Sequence, residues 1–85
     1  MYLKEILANR PQGKSRYADA IREYQAVVRL QPRVPNGFAN LASAYAADGQ
    51  FDRAIEAIDS ALHLQPSDAV ANDLRRQRAM YLQRR

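Results

Sequence analysis

The chain has 85 residues, no cysteine, and 13 basic against 9 acidic side chains, a net charge of +4. That length allows one domain with a thin core, and the missing cysteines exclude disulfides and thiolate-bound metals. No apolar run approaches the roughly 20 residues needed to cross a bilayer, and the opening "MYLKEILANR" carries charge too early for a secretory leader, so the chain is expected to be soluble and cytoplasmic.

In chain order, the first expected element is a short helix holding Leu3, Ile6, Leu7 and Ala8, ended by Pro11 because proline disfavours helical backbone at the residue before it. Residues 10 to 15 are then expected to form a loop. The stretch "ANRPQGKS" there fits a loosened phosphate-loop pattern. Such a loop works only between a sheet strand and a helix, where consecutive amides cradle phosphate. The preceding "MYLKEIL" is too short and isolated to serve as that strand, so Gly13-Lys14-Ser15 is read as an inter-helix turn, with Ser15 capping the next helix.

The second helix carries Tyr17, Ala20, Ile21, Tyr24, Val27 and Val28 at intervals of three and four. Pro32 closes it. Pro35 suits the first turn of a third helix, which holds Phe38, Leu41, Ala42 and Tyr45 and ends at Asp48-Gly49, since glycine takes the left-handed end conformation cheaply. A fourth helix repeats the spacing with Phe51, Ala54, Ile55, Ile58, Ala61 and Leu62, and stops before Pro66. The last, capped by Ser67 or Asp68, turns Val70 and Leu74 inward, with Tyr81 and Leu82 able to join them, and the rest is charged, with Arg75, Arg76, Arg78, Arg84 and Arg85 holding much of the positive excess.

Two segments, "YADAIREYQAVVRLQP" and "FDRAIEAIDSALHLQP", repeat 34 residues apart. Leu7-Ala8 and Leu41-Ala42 keep the same offset. A fixed period of this size signals stacked supersecondary units. In the second unit Phe38, Leu41-Ala42, Tyr45, Gly49, Phe51, Ala54, Ile58, Ala61 and Pro66 stand at mutual spacings that resemble the tetratricopeptide repeat. The first unit agrees only in Tyr17, Ala20, Tyr24 and Pro32, with Lys4 and Pro11 where the pattern has a large residue and a tyrosine.

The resemblance implies an all-α, right-handed helix-turn-helix solenoid of about two and a half units and about five helices. Residues 1–34 would form a degenerate first repeat, residues 35–68 a well-matched one, and residues 69–85 a capping helix. It further implies a non-catalytic protein-interaction module whose first helices line a concave face. The groove candidates are Tyr2, Glu5, Asn9, Ala39, Asn40, Ser43, Ala46, Asp73 and Gln77. Asn9 and Asn40 stand at the spacing of the two asparagines with which a chaperone-binding subset of the family clamps a terminal carboxylate. Glu5, Val70 and Leu74 occupy the places of that clamp's basic side chains, so polar contact with a peptide is expected instead.

Nothing else in the chain points to catalysis, a metal or a cofactor. The pairs Asp19/Glu23 and Asp52/Glu56 lie off the apolar stripes beside Arg22 and Arg53 and read as solvated faces, and His63 is the only histidine. Two further roles are weighed against the adaptor. One is self-association, as a homodimer through the N-terminal half or as a repeat segment of a larger protein, since nothing in the chain covers the outer side of Leu3 and Leu7. The other is nucleic-acid binding through the terminal arginines, which lack the interleaved aromatics that stack on bases.

Overall fold

The computed structural model describes the backbone of residues 3–85 and the side chains of residues 16–85. It is built of α1 (Leu3–Leu30), α2 (Pro35–Ala47), α3 (Phe51–His63) and α4 (Asp68–Arg84), with no strand among the described residues. Each helix packs chiefly on the next in sequence, the nearest-neighbour arrangement of a solenoid.

One expectation is corrected. α1 runs unbroken through Pro11 and Gly13, so one helix stands where two and a turn over residues 10 to 15 are expected, and Ser15 lies inside it. Proline's fixed φ suits a helix; its costs are one lost hydrogen bond and a local clash, about 3 kcal/mol, with glycine adding about 1. A turn would have to be rewarded by the packing of a helix folded back on the next. Local helix bonding continues instead. Gly13-Lys14-Ser15 is no phosphate cradle, because amides in a helix interior already donate to carbonyls four residues back.

α2 opens on Pro35 after an extended Val34 with no side-chain cap, as proline's missing N–H permits at a position where it would have no partner. It closes in a Schellman arrangement. Gly49 is left-handed at φ 78°, its N–H reaches Ala46 O at 2.9 Å, and Gln50 N–H reaches Tyr45 O at 2.9 Å. The short turn then sends α3 back along α2. α3 ends on the same plan but incompletely. Gln65 takes the left-handed position at φ 58° and donates to Leu62 O at 2.9 Å, but the following Pro66 has no N–H for the second bond. Ser67 then caps α4, its Oγ accepting from Val70 N at 3.4 Å.

The core lies between α2 and α3, where Leu41, Ala42, Tyr45, Ala54, Ile55, Ile58 and Ala61 are buried, and is closed by Leu74 and Tyr81 of α4 and Ile21 of α1. Alanines at 42, 54 and 61 are wholly enclosed, which lets the backbones approach where larger side chains would hold them apart. The equivalent close approach of α1 to α2 is made at Gly37, a residue the sequence reading passes over. A Cβ there would stand 3.1 Å from Val28 Cγ1. Tyr45 is tied to α1 by its hydroxyl, which accepts from Gln25 Nε2 at 2.9 Å.

Candidate peptide groove between α2 and α4

α2 and α4 turn the ends of one face each toward a shared depression. On α2, Ser43, Ala46 and Ala47 follow at helical spacing. On α4, Met80, Tyr81 and Arg84 do the same. With Phe51 at the start of α3 they line a hollow of about 390 Å³. Its floor on the α2 side is small, since alanine and serine leave the backbone nearly bare. Its far wall is aromatic and apolar, with Tyr81 buried and Met80 exposed. The Phe51 and Tyr81 rings stand 6.1 Å apart, tilted by 43°, within the range of favourable aromatic pairs. Arg84 lies over the Phe51 ring, its Cζ 5.5 Å from the centroid, close enough for cation–π attraction.

Of the sequence-derived candidates, Ser43 and Ala46 line this hollow. Ala39 packs on the core, and Asn40 is exposed on the preceding turn of α2. Asp73 is exposed and ion-paired with Arg76 one turn along α4. Gln77 is half-buried, with its Oε1 enclosed and unpartnered. Tyr2 lies outside the described residues, and Glu5 and Asn9 fall where side chains are not described. Sequence reasoning missed Ala47, Phe51, Met80, Tyr81 and Arg84. The signal for three of them was available, since Met80, Tyr81 and Arg84 continue the face of Gln77 by three, four and seven residues.

The terminal arginines are largely engaged within the chain. Arg78 Nε donates to Asp59 at 2.7 Å and Arg85 Nη1 to Asp52 at 2.9 Å, so both brace α4 against α3. The hydrogen bond to Asp59, and secondarily its charge, hold the Arg78 guanidinium above its ordinary pKa. Arg75 donates to Asn72 at 3.2 Å. Arg76, Arg78 and Arg85 are thus matched by carboxylates, while Arg75 has only a neutral partner.

No helix among the described residues is long and apolar enough to cross a membrane. A family model described as tetratricopeptide repeat matches residues 7–69, which takes in α1 from its fifth residue onward, all of α2 and α3, and the start of α4. No curated protein matches the chain.

Proposed function

The chain belongs to the tetratricopeptide repeat family, whose repeats generally mediate protein–protein interaction, and from that premise we propose that it is a non-catalytic adaptor holding a peptide segment of a partner in the α2–α4 groove. The observation that carries this reading is the hollow itself, small-floored at Ser43, Ala46 and Ala47 and walled by Phe51, Met80 and Tyr81. Such a surface can receive an apolar side chain while leaving room for the backbone that carries it, the usual anatomy of a small recognition pocket. Peptides enriched from a random displayed library on the immobilised chain test it. Ala46→Arg, which fills the floor, is expected to weaken them by about tenfold or more, whereas Ser60→Ala on the exposed side of α3 leaves them unchanged. Enriched peptides indifferent to Ala46→Arg would contradict the reading.

A second reading, self-association through the N-terminal half, is favoured by one comparison. Positions 34 residues apart are equivalent in the two units, yet Val27 is 39% exposed where Ala61 is fully enclosed, and Tyr17 is 40% exposed. The face of α1 that a folded-back first helix would cover is open, and the first half of a second copy's α1 is the matching element for an exchange. Sedimentation across a wide concentration range is expected to reveal a dimer that Tyr17→Glu weakens. A monomer at high micromolar concentration would rule it out.

A further inference from the structure

Beside the α2–α4 groove lies a second hollow of about 450 Å³, lined by Gly49, Gln50, Phe51, Asp52, Arg53, Arg84 and Arg85. It gathers three guanidinium groups and one carboxylate. Arg85 is matched by that carboxylate, Asp52, at 2.9 Å. Among the described residues Arg53 and Arg84 have no ion-pair partner, so the side chains lining the hollow carry a net excess of two positive charges. Arg84 is also positioned, since its place over the Phe51 ring leaves guanidinium N–H groups free to donate.

The two hollows share Phe51 and Arg84, so they are adjoining halves of one surface. One half is small-floored and apolar, the other cationic. A free anion would satisfy only the second half and an apolar side chain only the first. A short stretch of chain carrying both would satisfy both, because neighbouring residues of an extended peptide are about 3.5 Å apart.

We propose that the occupant of the groove is an acidic peptide, seating an apolar side chain against Ala46, Phe51 and Met80 and an adjacent carboxylate against Arg53 and Arg84. This rests on the groove reading above and names its ligand. Arginine suits the task because its planar fork pairs with a carboxylate through two parallel hydrogen bonds. The site is partly exposed, so the carboxylate acts more on selectivity and salt dependence than on total affinity.

The probe is a fluorescein-labelled peptide of sequence Gly-Gly-Leu-Glu-Glu-Gly, compared by anisotropy with versions carrying glutamine for both glutamates or glycine for the leucine. The acidic peptide is expected to bind about tenfold more tightly than the glutamine version. The preference should shrink as salt rises and disappear in the double variant Arg53→Gln/Arg84→Gln. The leucine-free peptide should bind weakly, and millimolar inorganic phosphate should compete only weakly. Equal binding of the acidic and glutamine peptides, both lost with Ala46→Arg, would overturn the acidic ligand while leaving the groove intact. Phosphate displacing the probe as well as unlabelled peptide does would overturn the peptide in favour of a simple anion site. Failure of every version to bind at millimolar concentration would overturn the inference; the library-derived peptides then decide the groove reading separately.

Discussion

Ile58→Ala is expected to destabilise the chain by about 2–5 kcal/mol. Ile58 is the centre of the α3 face packed on α2 and is wholly enclosed, with Ala54 and Ala61 equally enclosed a turn to either side. Those neighbours are alanines, so they have no longer side chain to swing into the space left behind. The loss therefore includes most of the cavity as well as the transfer of the removed carbons. A domain of this length has roughly 4–13 kcal/mol in total, and each kcal/mol moves its melting point by about 4–8 °C. Thermal denaturation followed by circular dichroism is expected to fall by at least about 10 °C. A shift of only a degree or two would mean that Ile58 does not occupy the middle of the core.

Leu74→Ala is expected to cost a similar amount, about 2–5 kcal/mol, but to act locally. Leu74 is 2% exposed and is, with Ala71 and Tyr81, what buries α4. Its charged ties, Arg78–Asp59 and Arg85–Asp52, are surface ion pairs, which contribute little because solvent screens them. Without Leu74 the helix can open while α2 and α3 stay paired, a sub-global opening of the kind hydrogen exchange resolves. Amide exchange should quicken throughout α4 far more than in α3. Since α4 supplies Met80, Tyr81 and Arg84, peptide binding should fall with it even at temperatures where most of the helix signal remains. Uniform loss of protection across α2, α3 and α4 would show instead that the three form one cooperative block.

The second unit was readable because its residues answer local and tertiary demands in the same direction. Gly49 both ends α2 and takes the left-handed turn; Ala42, Ala54 and Ala61 are both helix formers and close-contact residues. At the N-terminal end the two demands part. Pro11 signals a helix end by its backbone chemistry, but a helical hairpin also needs a packed return helix, and α1 continues unbroken. The repeated Leu-Gln-Pro shows the same limit on a smaller scale. Gln31 donates to Val27 O in helical fashion at 2.8 Å, whereas Gln65 is left-handed and donates to Leu62 O. Identical tripeptides end their helices differently, because the route to the next helix decides the ending. At the groove, two of the seven lining residues were legible. The α2 side comes from the family resemblance, which puts the first helix of each unit on the concave face, and of its candidates Ser43 and Ala46 line the hollow. Phe51 and Arg84 do not follow from spacing within one helix, since their juxtaposition depends on how the start of α3 and the end of α4 meet.

The central claim is that the α2–α4 face is the working surface of this chain. Amide chemical-shift mapping of the isotope-labelled chain during titration with the leucine–glutamate peptide tests it most directly. Shifts are predicted to concentrate at Ser43, Ala46, Ala47, Phe51, Met80, Tyr81 and Arg84, to extend to Arg53, and to leave the exposed turn around Leu30 unmoved. Saturable shifts confined to α1 or to the outer face of α3 around Glu56 and Ser60 would contradict the account.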